Sequence, residues 1–200
     1  LVCISRTTAT AVEHWLPGWA GSPRISIVTP GMAPEPAMAP ATGSTVHRSV
    51  RPERFLLMVG TIEPRKNHAL LLDVWQGLTA RLPEGRMPQL VIAGSRGWRN
   101  AAVFARLDAS PPHVIEVAGL SDTALAGVLA QSKGLLFPSH AEGFGLPPLE
   151  AAGLGVPLVV ADLPVLRELL GDLPVYLSGT DVYSWMETIE RVSHSHSGEV

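Results

Sequence analysis

From Phe55 onward the chain alternates short apolar runs with longer segments in which apolar residues return every three or four positions. Phe55-Leu56-Leu57-Met58-Val59 has no polar interruption, as expected of a strand covered on both faces, and it stops at Gly60. Across residues 67–82, Leu70, Leu71, Val74, Trp75 and Leu78 mark one face of a helix. Further apolar runs predict strands at 89–93, 114–117, 134–137, 158–160 and 174–177. The helices between and after them are expected near 100–107, from a Ser121-Asp122-Thr123 start to about Gln131, from the Pro147 turn through Leu154, over 164–170 and over 181–192. Six strand–helix units in succession predict an α/β fold, a doubly wound parallel six-stranded sheet over residues 53–192, with ligands at the carboxyl ends of its strands.

The preceding residues read differently. Leu1-Val2-Cys3-Ile4 has the pattern of a short strand, residues 5–15 of a helix with Ser/Thr start signals, and Ile25-Ser26-Ile27-Val28 of a second strand. Residues 30–52 hold Pro30, Pro34, Pro36, Pro40 and Pro52 among small residues, the composition of a linker. Residues 193–200 read as a disordered tail. The chain starts at Leu1 inside a strand pattern and without an initiator Met, which reads as a fragment of a longer protein.

Composition narrows the function classes. With 46% hydrophobic and 16% charged residues, 200 positions suffice for one substantial core. A net charge of −3 supplies no polybasic footprint, so nucleic acid is not an expected partner, and any anion must be recognised locally. Cys3 is the single cysteine, which excludes an internal disulfide and a cysteine-based zinc site and fits a reducing compartment. No apolar run approaches the ~20 residues of a membrane span, and no signal-peptide pattern opens the chain. No Asp-x-Asp pair occurs, and His194 and His196 fall in the polar tail, so no metal site is expected.

Three loops after predicted strands carry candidate chemistry. In Gly60-Thr61-Ile62-Glu63-Pro64-Arg65-Lys66-Asn67 two adjacent cations stand at a helix start, where the dipole disfavours positive charge, so an anion is expected to offset them. The plainer alternative is a solvated Arg-Lys pair with Asn67 as helix cap. Gly94-Ser95-Arg96-Gly97-Trp98 either admits a flat aromatic ring against its backbone or is simply a glycine-rich turn. Neither loop fits the phosphate loop of NTPases, and no dinucleotide Gly-x-Gly-x-x-Gly follows residues 55–59.

The third loop is the richest. Pro138-Ser139-His140-Ala141-Glu142-Gly143-Phe144-Gly145-Leu146-Pro147-Pro148-Leu149-Glu150 joins a strand to a helix. Gly143 and Gly145 permit a tight turn and close approach, and Pro147-Pro148 suit a first helical turn, whose amides lack partners in any case. Free amides at a helix start make an anion site, and Glu142, ending the strand side, and Glu150, about one turn into the helix, are placed to accept paired hydroxyls from one crevice. A tight turn with glutamates complementing the helix dipole is the alternative. His140 adjoins the turn, though a lone loop histidine is more often a surface residue.

These residues resemble the retaining glycosyltransferases of family four, with the GT-B fold. The resemblance runs over residues 25–192 and rests on Val59-Gly60-Thr61-Ile62-Glu63-Pro64-Arg65-Lys66-Asn67 and on the Glu142, seven residues, Glu150 spacing. It implies the Rossmann-like, carboxyl-terminal donor-binding half of such an enzyme, with residues 1–29 the remnant of an amino-terminal acceptor domain otherwise missing. By resemblance, Arg65, Lys66 and Glu142 are the catalytic residues: the two cations meet the donor pyrophosphate and Glu142 holds donor-sugar hydroxyls. Glu150 holds the ribose, Gly143, Phe144, Gly145 and Leu146 present amides, Gly60 and Thr61 flank the phosphates, Gly94 lies by the base and Val117 meets its edge. Many relatives carry Arg after the glycine; Thr61 stands here, which leaves Arg65 and Lys66 to carry more.

The implied activity is metal-independent transfer of a hexose with retention, without a cofactor, in polysaccharide biosynthesis. GDP-mannose is the first choice of donor and a UDP-sugar the second; the acceptor is a glycan or a lipid-linked glycan. The implied location is cytoplasmic, the full enzyme associating peripherally with the inner face of the membrane. A nucleotide-sugar 2-epimerase of the same architecture and a non-catalytic nucleotide-binding module are the alternatives.

Overall fold

A computed structural model describes residues 1–16, 24–31, 50–51 and 54–194. Six parallel strands form the main sheet: β3 (Phe55–Val59), β4 (Gln89–Ala93), β5 (Val114–Val117), β6 (Leu135–Phe137), β7 (Leu158–Ala161) and β8 (Val175–Leu177), in the order β5-β4-β3-β6-β7-β8. The helices that return the chain are α2 (His68–Arg81), α3 (Ala101–Asp108), α4 (Asp122–Ala130), α5 (Leu146–Gly153), α6 (Pro164–Leu170) and α7 (Val182–His194). Chain order reverses between β3 and β6, so the sheet has its topological switch point there.

Both faces of the central strands are buried, which is why β3, β6 and β7 read as unbroken apolar runs. Leu56, Met58, Leu90, Ile92, Leu136 and Val159 point into one layer with Trp75 of α2 and Trp185 of α7. Phe55, Leu57, Val59, Leu135, Phe137 and Val160 point into the other, against Val128, Ala151 and Leu166. Each buried large side chain contributes about 1.5–3 kcal/mol through the area it removes from water. The two indoles need acceptors as well, and Trp75 Nε1 donates to Pro88 O at 3.1 Å while Trp185 Nε1 donates to Ser178 O at 2.9 Å.

Ahead of the sheet, β1 (Val2–Cys3) and β2 (Ser26–Ile27) pair in parallel across α1 (Arg6–Trp15), the strand–helix–strand unit that the pattern predicts. Ser5 caps α1, its Oγ accepting from Thr8 N at 3.0 Å. Most of the proline-rich stretch lies outside the described residues. Its end does not behave as a linker: Val50 is buried in the second layer and the Arg51 amide donates to Gln89 Oε1 at 2.7 Å. The chain therefore joins the domain before residue 53.

A second boundary also moves. Residues 193 and 194 continue α7 instead of opening a tail, because Arg86 Nε reaches His194 Nε2 at 3.1 Å and the ring's Nδ1 lies 2.6 Å from Glu190 O. His196 lies outside the described residues. Among the described residues no helix is long and apolar enough to cross a membrane.

Candidate functional site

At the switch point the loops after β3 and β6 meet. The loop after β3 leaves the sheet at Gly60, runs through buried Ile62, which bridges to Arg96 in the loop after β4, and coils as a single 3-10 turn over Pro64–Lys66. Asn67 ends that turn in the left-handed region, φ 59°, a conformation that asparagine tolerates better than most residues. Asn67 makes no side-chain cap to α2, contrary to the alternative reading of the sequence. Its Nδ2 donates instead to Pro138 O at 3.1 Å and Gly179 O at 2.9 Å, while His140 N donates to Arg65 O at 2.9 Å. These bonds tie together the loops after β3, β6 and β8.

The anion expected beside the two cations comes from the chain itself. Arg65 Nη1 meets Glu142 Oε2 at 2.6 Å and Lys66 Nζ meets Glu142 Oε1 at 2.8 Å, the glutamate side chain being only 7% exposed. Arg65 Nη2 also holds Glu63 Oε1 at 2.6 Å, and Trp98 Nε1 donates to Glu63 Oε2 at 3.0 Å. Lys66 Nζ stands 4.9 Å over the Phe137 ring. Two acids and two bases thus balance in one network. Burial opposes the charge on Arg65, yet the bonds and charges of Glu142 and Glu63 hold its pKa above the ordinary value. Burial likewise works against ionising Glu63, but Arg65 and Trp98 outweigh it and keep the carboxyl below its usual range.

The turn that follows Glu142 supplies backbone donors. The Gly143 carbonyl is held by Ser5 and Thr8 of the amino-terminal unit, at 2.9 and 3.1 Å. Gly145 has φ 115°, and a Cβ there would come 2.8 Å from Leu166 Cδ2, so the position requires glycine. Among the described residues the amides of Gly143, Phe144, Gly145 and Leu146 reach no acceptor. They stand at the amino end of α5, where Pro147 and Pro148 have no N–H to satisfy.

Of the residues singled out from sequence, the structure brings Arg65, Lys66 and Glu142 into direct contact. Glu150 is exposed on α5 and bonds to none of them. Gly60 sits over Lys66, whose Cε lies 3.3 Å from the place of a Gly60 Cβ, and Thr61 is exposed with its methyl against Gly97. Gly94 is wedged against the Gly60 carbonyl, and the Val117 carbonyl accepts from Gly94 N at 2.9 Å as a sheet bond. Arg96 is committed to Glu116 and Asp108, both at 2.8 Å, while Trp98 stays 59% exposed at the rim. His140 is exposed. Among the described residues no three His, Cys, Asp or Glu side chains lie together as a metal site.

Sequence reasoning did not single out Ser5, Thr8 or His68. The first two contact the turn across 138 and 135 residues, which no local pattern reports. His68 is fully buried at the start of α2, and neither ring nitrogen has a hydrogen-bond partner. Burial, helped by the nearby Lys66 charge, pushes its pKa down to about 4.

Residues 44–196 match the profile of the family described as glycosyl transferases group 1. The chain belongs to the group 1 glycosyltransferases. It is 30% identical over 220 aligned positions to the serotype-specific mannosyltransferase WbdA of Escherichia coli, an alignment that takes in all of this chain and 27% of that protein. The O-antigen chain mannosyltransferase B of Escherichia coli is 34% identical across 64% of this chain and 34% of its own length. The group 1 glycosyltransferase chain therefore spans about a quarter to a third of these relatives. Among solved structures TarM superposes with a TM-score of 0.69 at 12% identity, over 96% of this chain and 37% of that one. A TarM variant in complex with fondaparinux, alpha-GlcNAc-glycerol and UDP gives a TM-score of 0.72 at 13% identity, over 97% of this chain and 36% of that one. Both show a common GT-B fold.

Proposed function

We propose that this chain is the carboxyl-terminal, donor-binding half of a retaining hexosyltransferase that takes mannose from GDP-mannose, with a UDP-sugar as the second choice. The observation that carries this reading is the convergence of Arg65 and Lys66 beside unpartnered amides at the start of α5, at the sheet's switch point. Two cations and a helix amino end favour a diphosphate, and the mannosyltransferase relatives favour mannose. The UDP bound by the TarM variant supports a nucleotide in a crevice of this fold. The epimerase alternative is not favoured by the family match.

In this account the bond between the sugar's anomeric carbon and the diphosphate oxygen breaks, its electron pair leaving with the diphosphate. The acceptor hydroxyl forms its new bond on the same face and releases its proton to the departing phosphate oxygen. Arg65, Lys66 and the amides of residues 143–146 stabilise the charge that develops on the leaving group, without a metal ion. Glu142 holds the two cations in place until the diphosphate arrives, then turns to the sugar hydroxyls. The acceptor, a glycan or lipid-linked glycan, is met by the amino-terminal domain on the cytoplasmic face of the membrane, and the chain alone binds donor without efficient transfer.

The two glutamates separate the parts of the donor. Glu142→Gln is expected to bind GDP at least as tightly as the native chain, since a competitor for both cations is neutralised, while losing any preference for GDP-mannose over GDP. Glu150→Gln is expected to weaken both ligands alike by about 1–3 kcal/mol, because both carry the ribose. Calorimetric titration of each variant with each ligand checks this. Loss of GDP binding in Glu142→Gln with none in Glu150→Gln would contradict the assigned orientation.

A further inference from the structure

The amino end of α1 rests on the turn that follows Glu142. Ser5 is buried, its Oγ lies 2.9 Å from Gly143 O and 2.8 Å from Thr8 Oγ1, and Thr8 Oγ1 lies 3.1 Å from the same carbonyl. Each hydroxyl has one proton to give, so Thr8 donates to the carbonyl while Ser5 donates either to the same carbonyl or to Thr8 Oγ1, and the carbonyl is held in both arrangements. The unit is anchored from the other side by Glu168 of α6, whose Oε1 accepts from Arg6 N at 2.7 Å and whose Oε2 accepts from Thr7 N at 2.8 Å and Thr7 Oγ1 at 2.7 Å. Burial opposes the charge on Glu168, but these bonds outweigh it and keep its carboxyl below the usual range. Helix α6 also supplies Leu166, which fits against Gly145.

The peptide geometry gives these bonds a consequence. Among the described residues no peptide bond is cis, and in a trans peptide the carbonyl and the following N–H point in opposite directions. With the Gly143 carbonyl held toward α1, the Phe144 N–H faces away from α1, and among the described residues it has no acceptor. Gly143 lacks the Cβ that would restrict its own ψ, so the plane needs an external hold.

We propose that Ser5 and Thr8 are positioning residues of the donor site: they fix the Gly143–Phe144 peptide plane so that the Phe144 amide serves the anionic donor. This rests on the donor-binding reading above. It also makes donor affinity depend on α1 staying docked, so displacement of the unit formed by residues 1–16 weakens the site without touching Arg65 or Lys66.

The test is a Ser5→Ala/Thr8→Val double variant of the full chain, compared with Thr8→Ser, which keeps the hydroxyl. Two readouts are taken: the Phe144 amide resonance in nitrogen-edited NMR without ligand, and calorimetric affinity for GDP-mannose. The double variant is expected to move or broaden the Phe144 resonance while signals from β7 and β8 stay in place, and to lose about tenfold in affinity. Thr8→Ser is expected to match the native chain in both. If the double variant does not fold, Thr8→Val, which leaves the Ser5 cap intact, carries the same comparison. An unchanged Phe144 resonance with unchanged affinity overturns the proposal. A displaced resonance in a chain whose native form binds no nucleotide diphosphate leaves the positioning intact and overturns the donor-binding reading instead.

Discussion

Gly94→Ala is expected to cost more than about 4 kcal/mol of folding stability, enough to unfold many domains of this size. A Cβ on Gly94 would fall onto the Gly60 carbonyl oxygen, 2.7 Å from the Gly60 carbonyl carbon and 3.4 Å from Thr61 N. All three are backbone atoms, so no rotamer change relieves the overlap. The neighbourhood is fixed from both sides, since Gly60 N donates to Ala93 O at 3.0 Å and Gly94 N donates to Val117 O at 2.9 Å. Relief requires the carboxyl ends of β3 and β4 to part at the edge that holds the candidate site. Urea denaturation followed by tryptophan fluorescence checks this, and a midpoint within error of the native chain would show that the ends separate without cost.

Acidification is expected to remove about 3 kcal/mol of stability between pH 6.5 and 4 through His68 alone. Its folded-state pKa is pushed down to about 4 from the ordinary 6.5, by burial first and by the charge of Lys66 second. Between these values the unfolded chain binds the proton and the folded chain does not. Stability is therefore fully present above about pH 6.5 and declines as pH falls toward 4. Because the neighbouring Glu63 carbonyl keeps its bond from Lys66 N at 3.1 Å, His68→Leu removes the proton-binding group without stranding another one. The leucine variant is expected to stay within about 1.5 kcal/mol of the native chain at pH 7 and to exceed it increasingly below pH 6. Parallel acid limbs for the two chains would place the buried titrating group elsewhere.

The strands were legible because both faces of the sheet are covered, which leaves runs such as 55–59 and 90–93 free of polar interruptions. The Ser121 cap was legible from its side-chain chemistry, and its Oγ does accept from Ala124 N at 3.2 Å. The end of α7 was not, since Ser193 and His194 look like tail until a partner as distant as Arg86 is brought to them. At the site, sequence placed Arg65, Lys66 and Glu142 on the same sheet edge but could not show that they neutralise one another. Spacing made Glu142 and Glu150 look equivalent, whereas the fold buries the first among cations and leaves the second exposed. Asn67 reads as a cap in the sequence for a local reason: a cap and a left-handed connector draw on the same residue type. Only the approach of Pro138 and Gly179 to its amide decides between them.

If Arg65 and Lys66 form a diphosphate site, nucleotide affinity depends on the Lys66 charge, which Lys66→Met removes. Methionine keeps an unbranched stem against Gly60 and Phe137 while removing the ammonium that lies 2.8 Å from Glu142. In calorimetric titration with GDP at neutral pH, the native chain is expected to bind and Lys66→Met to bind about ten- to a hundredfold more weakly, the worth of one charge-assisted contact. Equal affinity in the two chains, with the fold of the variant intact, would exclude Lys66 from the diphosphate site and return it to the role of a structural partner for Glu142.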